Sequence, residues 1–469
     1  MTKTISKPAW SQAIEQTGKE FDRTPLEILS GSLPDGLRGT LYRNGPARLQ
    51  RGNRRVGHWF DGDGAILSVQ FNESGAIAQY RFVQTEGYQE EEAAGTLLYG
   101  NYGTTAPGAF WHRWTKSVKN VANTSVLALN DRLLALWEAG KPHVLDLETL
   151  ATRGIENIPI PTYSAHPKRD AHTGEIFNFG IEFGRKTHLN LLVSNEAGKI
   201  LRQKSHPIDR VSLIHDFVLA GDYLVFFVPP IEIPLFSILF GLTNFSDAAQ
   251  WNPQGATEIW VFDRHLDFIS RSQAEPWFQW HFANGYTDEN GNIIVDVVKY
   301  PDFTTNQRLK EIATGETQTA AEGELWRVKL DPKSAKMLEC DRRFDRSCEF
   351  PSVPPLEVGR NARFTYVSMH RQGADTTREL YRAIGSYDAQ TGTLHEIDCG
   401  DRCYPTEPII APDASNAEKH WLLTVVYNGN HNRSEVWVLD GNHLEREPVC
   451  CLALPEIIPL GFHGTWKGR

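Results

Sequence analysis

Methionine is scarce in this chain, with 3 among 469 residues, and cysteine is confined. All six cysteines (Cys340, Cys348, Cys399, Cys403, Cys450 and Cys451) fall in the last third. Cys399 and Cys403 have half the spacing of a zinc site, but no second pair completes it. The opening MTKTISKPAWSQAIEQTGKEF lacks the apolar core of a secretory signal, so a reducing cytoplasm and free thiols are expected. No run of five like charges occurs, and 58 acidic against 48 basic side chains give a net charge of −10. That balance argues against a nucleic-acid partner, which would need phosphate contacts. No low-complexity linker divides the chain. An uninterrupted membrane span is also missing: residues 223–242 are long and apolar enough, but Pro229, Pro230, Glu232 and Pro234 interrupt them. A core strand over Tyr223–Val228 and an apolar loop or short helix over 234–242 are expected instead. A buried insertion is one use for such a loop, and contact with a bilayer surface is the other.

What is present suits many short strands. Apolar residues make up 40% and charged residues 23%, enough for a substantial core; Gly (38) and Pro (26) are frequent. A strand ending in an Asp- or Gly-bearing turn recurs. It reads PHVLDLETL from Pro142, EIWVFDRHLDF from Glu258, ELWRVKLDPKSAK from Glu324, ELYRAIGSYDAQTG from Glu379 and SEVWVLDGNHLE from Ser434, with a looser copy, LNLLVSNEAGKI, from Leu189. The starts lie 47, 69, 66, 55 and 55 residues apart, spacing that propeller blades with long insertions produce. At about 67 residues per blade the length accommodates seven. An all-β, seven-bladed β-propeller is the architectural expectation; a large β-sandwich is the alternative reading of the same patterns.

The 16 histidines include no HExxH or HxH, so spacing identifies no metal site. Context separates four of them: Tyr163-Ser-Ala-His166-Pro, Ser212-Leu-Ile-His215-Asp-Phe, Trp277-Phe-Gln-Trp-His281-Phe and Gly461-Phe-His463-Gly-Thr-Trp466 have apolar or aromatic neighbours. Any one of them alone is more simply a hydrogen-bonded core histidine. In a propeller, blades converge on one axis, so ligands 49, 66 and 182 residues apart can meet there.

With these contexts in place the sequence resembles the carotenoid cleavage oxygenases over nearly its whole length. The matching motifs are Leu41-Tyr-Arg-Asn-Gly-Pro46, His58-Trp-Phe-Asp-Gly-Asp-Gly64, Ser164-Ala-His-Pro167, His215-Asp-Phe217, His281-Phe-Ala-Asn284, Glu349-Phe-Pro351, Glu407-Pro408 and Gly461-Phe-His-Gly-Thr465. The resemblance implies one propeller domain spanning 1–469, with an N-terminal extension over 1–35, an apolar and membrane-docking insertion over 229–253, and long loops capping the iron-bearing face. It implies that His166, His215, His281 and His463 ligate non-haem Fe(2+), a metal suited to imidazole. Four neutral ligands leave the ion's charge intact, so carboxylates behind the rings must orient them and moderate it. The resemblance assigns these to Glu138, Glu349 and Glu407. It puts Thr124 against a remaining iron position, and Phe60, Trp137 and Trp280 on the wall of a substrate tunnel.

The implied reaction is cleavage of a carbon–carbon double bond of an apocarotenoid or carotenoid by O2, with aldehyde products such as retinal. The implied partners are an apolar polyene, O2 and a membrane surface touched peripherally by a cytoplasmic monomer. Stilbene-cleaving members appose a Lys to the first Glu; here Trp137 precedes Glu138, which favours a polyene. The isomerohydrolase branch shares the four histidines. The alternatives are a stilbene- or phenylpropanoid-cleaving dioxygenase, a non-catalytic pigment-binding propeller, and a Ca2+-dependent hydrolytic propeller.

Overall fold

A computed structural model describes residues 7–108, 118–209, 212–234, 237–238 and 242–468. The chain is all-β with short helices, and its sheets are arranged in the manner of a propeller. Among the described residues five sheets of four to six strands stand alone, and a sixth is a continuous sheet of eight. Seven separate blades, as the spacing led one to expect, are therefore not what the strand pairing gives. The physical reason lies at one point. Val218–Ala220 and Phe278–Thr287 meet in parallel through Ala220 and Gly285. A Cβ on Gly285 would come within 2.7 Å of the Ala220 Cβ, so glycine is what lets the two strands approach.

The recurring strand read from the sequence occupies one structural position. His143–Leu145, Thr187–Asn195 and Ala383–Asp388 each come third in chain order within their sheets, and Arg433–Asp440 lies between His420–Asn428 and the final strand Cys450–Ala453 of its own. Thr257–Asp263 and Glu324–Leu330 hold the equivalent places in the two halves of the eight-stranded sheet. Except after Arg433–Asp440, whose next strand Cys450–Ala453 is buried, the Asp- or Gly-bearing turn leads to a more exposed neighbour, as in Ile200–Ile208, which alternates between half-buried and exposed. Apolar side chains fill the spaces between sheets adjacent in sequence. One such core lies within the eight-stranded sheet, joining Val225, Phe227 and Val261 of one half to Trp277, Val295 and Val328 of the other. Burial of this kind contributes about 25 cal/mol per Å2 of apolar surface.

The expected strand Tyr223–Val228 forms and is buried over Leu224–Val228. Within 229–253, Ile231–Glu232 pairs with Gln250–Trp251. Of the apolar loop 234–242, Leu235, Phe236, Leu239, Phe240 and Gly241 lie outside the described residues. Residues 1–35, expected as an extension, contribute Phe21–Pro25 to the first sheet and Glu27–Gly31 to the last large one. Two strands far apart in sequence, Gly39–Arg48 and Gly464–Gly468, also pair.

Candidate metal centre

Segments at or beside strands of different sheets bring chemically useful side chains toward a common place. Thr124 precedes Ser125–Ala128, His166 precedes Lys168–Asp170, and His215 precedes Val218–Ala220. His281 lies within Phe278–Thr287, Glu349 within Cys348–Ser352, Glu407 follows Cys403–Pro405, and His463 precedes Gly464–Gly468. The backbone is irregular where these residues turn inward. Register shifts flank Trp280 and His281, and another follows Glu349. Phe350, directly after Glu349, has φ 55°, a strained value for an aromatic residue.

His166, His215 and His281 are buried and converge, with one ring nitrogen of each within 4.8 Å of the others. His166 Nε2 is 3.0 Å from His215 Nε2, which is 3.3 Å from His281 Nε2. The His463 ring centroid lies 4.8 Å from that of His166 and 4.7 Å from that of His281. All four predicted histidines are thus brought together.

The three predicted glutamates stand behind three of these rings. His281 Nδ1 donates to Glu349 Oε2 at 2.5 Å, and His463 Nδ1 donates to Glu407 Oε1 at 2.8 Å. His215 Nδ1 lies 2.6 Å from Glu138 Oε1, an ionic contact without straight hydrogen-bond geometry. For His166 the nearest of them is Glu138, whose Oε1 is 3.9 Å from Nε2. A proton on each outward Nδ1 leaves the inward Nε2 as a lone-pair donor. Facing lone pairs repel unless a cation sits among them, so this donor set fits a metal ion. The separations of 3.0 and 3.3 Å also match two nitrogens sharing one ion at about 2.1 Å.

Burial and mutual proximity hold the His166 and His281 rings well below the usual imidazole range. Burial acts on His215 in the same direction, but Glu138 outweighs it and the net shift is upward. Burial pushes Glu349 up to about 7. It also acts on Glu407, where His463 and the buried Arg43 outweigh it and hold the carboxyl below its ordinary value.

An apolar cavity opens beside the rings. Its lining includes His215, His281, His463, Thr124, Phe60 and Trp280. The Phe60 and Trp280 rings meet edge-on at 5.4 Å, and Trp280 Nε1 donates to Thr305 Oγ1 at 3.0 Å. Trp137, the third predicted wall residue, is half-buried and is not among the lining side chains. A further part of the lining was not anticipated. It comprises Thr305, Arg308, Leu309 and Ile312, one face of the helix Thr304–Ile312, together with Leu380, Tyr381 and Tyr404. The helix periodicity of those four positions was the available signal. Also unanticipated are Tyr300, whose hydroxyl donates to Glu349 Oε1 at 3.0 Å, and Arg43, which donates to the Glu407 and Phe462 carbonyls at 2.8 Å. Arg43 stands inside one of the recognised motifs; Tyr300 stands in none.

The described cysteines, all six, are free. No described helix is long and apolar enough to cross a membrane.

A family model described as retinal pigment epithelial membrane protein matches residues 14–468. The chain is 32% identical to an apocarotenoid-15,15'-oxygenase of Synechocystis, over 99% of this chain and 97% of that one. It is 26% identical to resveratrol cleavage oxygenase 1 of Aspergillus fumigatus, over 98% and 95%. A solved structure of cobalt-substituted Synechocystis apocarotenoid oxygenase superposes with a TM-score of 0.88 at 31% identity, covering 98% of each chain. With its fold, its histidines and these likenesses established, the chain belongs to the retinal pigment epithelial membrane protein family, the carotenoid oxygenases.

Proposed function

We propose that this protein is a non-haem Fe(2+) oxygenase that cleaves one double bond of an apocarotenoid or carotenoid with O2, giving aldehydes such as retinal. One observation carries the reading: buried imidazoles converge at the wall of an apolar cavity. In this reading His166, His215, His281 and His463 hold the iron, and Glu138, Glu349 and Glu407 orient three of the rings. The charges support a divalent ion. Arg43 offsets the charge of Glu407, and a divalent ion among the rings would favour the ionised form of Glu349 that burial alone opposes.

When bound, ferrous iron supplies the place where O2 is activated. The protein's own groups do the rest. Phe60 and Trp280, set edge to face, give the polyene an aromatic wall that needs no hydrogen bond from it. Their ring faces also suit positive charge developing along the chain. Thr124, whose carbonyl accepts the His463 N–H at 3.2 Å, lines the cavity and would keep water away from a bound iron. Oxygen uptake and aldehyde formation from an apocarotenal, measured with iron-loaded protein, test the proposal. Uptake without cleavage, or neither, overturns it.

The resveratrol-cleaving relative keeps a stilbene-cleaving function as the second reading. Trp137 in place of a cation before Glu138 favours the polyene, and product analysis against resveratrol decides.

Finer architectural points belong to the same proposal. The eight-stranded sheet is two blades joined at Ala220 and Gly285, which brings the count to seven; the core between its halves supports this. The domain is single, and pairing of Gly39–Arg48 with Gly464–Gly468 supports its closure into a ring. The helix Thr304–Ile312 belongs to a cap of long loops, tied by Arg308 to the carbonyls of Thr319, Thr376 and Glu379. The protein acts as a monomer at a membrane surface, contacting it through the apolar sequence 234–242, of which Leu242 is exposed. Lipid-soluble substrates partition into bilayers, which supports this route of delivery.

A further inference from the structure

The buried carboxylate of Asp216 touches all three chain segments that carry the converging rings. Its Oδ1 forms an ion pair with Lys168 Nζ at 2.8 Å and accepts from the Phe217 N–H at 2.7 Å. Its Oδ2 accepts from the Phe282 N–H at 3.1 Å. Lys168 is two residues beyond His166, Asp216 itself follows His215, and Phe282 follows His281. One side chain thus ties together the backbones that aim three imidazoles.

Those segments have little else in common. Lys168–Asp170 pairs with Glu175–Glu182, in a different sheet from the other two. Val218–Ala220 and Phe278–Thr287 pair as strands only at Ala220 and Gly285. In Phe278–Thr287 the register slips on both sides of Phe282, where Asp216 takes up its N–H. The Asp216 side chain is 1% exposed and that of Lys168 is 18% exposed, so the cation has a route to water that the carboxylate lacks. A solubility role needs no such burial. An ion pair placed merely for stability would have no reason to select the residues next to three ring-bearing positions.

We propose that Asp216 is a positioning residue for the metal centre, setting the mutual distances of the His166, His215 and His281 nitrogens through Lys168, Phe217 and Phe282. The inference rests on the metal reading given above. Asp216 acts through the ring-bearing backbones and does not itself contact the ion. Lys168 keeps the carboxylate's charge from adding to those of Glu138, Glu349 and Glu407.

Titration of the full chain with Co2+ alone, against a competing chelator and followed by visible absorption, tests this with Asp216→Asn and Lys168→Met. The wild type takes up one equivalent. Asp216→Asn weakens uptake on the order of 10–100-fold and displaces the absorption bands, since the ligand geometry changes. Lys168→Met shifts both in the same direction by less. In metal-free Asp216→Asn protein, the Phe217 and Phe282 amides exchange faster. Wild-type affinity and bands in both variants overturn the proposal. Should Asp216→Asn fail to fold, Lys168→Met decides alone by the same two readings. Absence of Co2+ uptake by the wild type overturns the metal reading and this inference with it, an outcome distinct from uptake that the variants leave unchanged.

Discussion

Glu407 holds two groups of one chain turn at once: Oε1 accepts from His463 Nδ1 and Oε2 from the Gly464 N–H, each at 2.8 Å. The carboxylate therefore fixes both the tilt of the ring and the backbone that carries it. It is buried beside Arg43, whose guanidinium reaches the Glu407 and Phe462 carbonyls.

Removing that hold should loosen the ring without removing the nitrogen. Glu407→Ala is expected to lower iron affinity about 10–100-fold, with Glu407→Gln intermediate because its amide oxygen still accepts. Chelator competition followed by elemental analysis measures both.

Losing a ring is the stronger insult. His215 contributes the Nε2 that faces both His166 and His281. His215→Ala protein should purify with less than a tenth of the wild-type iron and should cleave no apocarotenal. Full activity in this variant would remove His215 from the ligand set.

Cavity shape should be separable from metal binding. Leu309 lies on the helical wall, away from the histidines in sequence, and faces the apolar space. Leu309→Trp fills part of that space. Its expected effect is a several-fold rise in KM for long apocarotenoids, less for short ones, with iron content unchanged. A chain-length series of substrates is the measurement.

His58 supplies a pH test away from the rings that meet at the metal centre. Burial holds its pKa at about 3, its Nδ1 accepts the Phe60 N–H at 3.1 Å, and Phe60 and Tyr102 enclose the ring. The folded state therefore keeps His58 neutral, whereas the unfolded chain protonates it near pH 6.5. Its contribution is intact above pH 6.5 and is lost as pH falls toward 3, at about 1.4 kcal/mol per unit. The neighbouring Asp61, raised by burial to about 7, works in the opposite direction as pH falls. Comparing wild type with His58→Gln cancels Asp61, and the wild type should lose stability more steeply in urea between pH 6.5 and 4.5.

The junction of the eight-stranded sheet is the last test. Gly285→Ala places a methyl within 2.7 Å of the Ala220 Cβ and 2.9 Å of Val218 Cγ2. Both neighbours are buried, so the strands must part, at a cost of about 1–3 kcal/mol in thermal or urea unfolding.

Much of this was legible in the sequence because the signals were local. The repeated strand carries its own turn, so copies from Pro142 to Ser434 were visible, although a further strand with the same form, Asp63–Asn72 ending in Glu-Ser-Gly, escaped notice. The four histidines declared themselves through apolar neighbours, because a polar ring kept in such company needs a partner. What could not be read were contacts made across sheets. Tyr300 meets Glu349 from 49 positions away, and no spacing announces that. The union of two groups of four strands at Gly285 depends on a missing side chain opposite Ala220, which only the packed structure brings face to face. Trp137 was placed on the cavity wall by the family resemblance, yet in the turn that follows Leu133–Leu136 it is Glu138 that reaches a ring, and Trp137 is not among the lining side chains.

Pairing of Gly39–Arg48 with Gly464–Gly468 has a consequence for synthesis. The ribosome must release His463 before the first sheet gains its inner strand, so a nascent chain carries three imidazoles and an open seam. Closing the first sheet and completing the group of four imidazoles are therefore one and the same folding event.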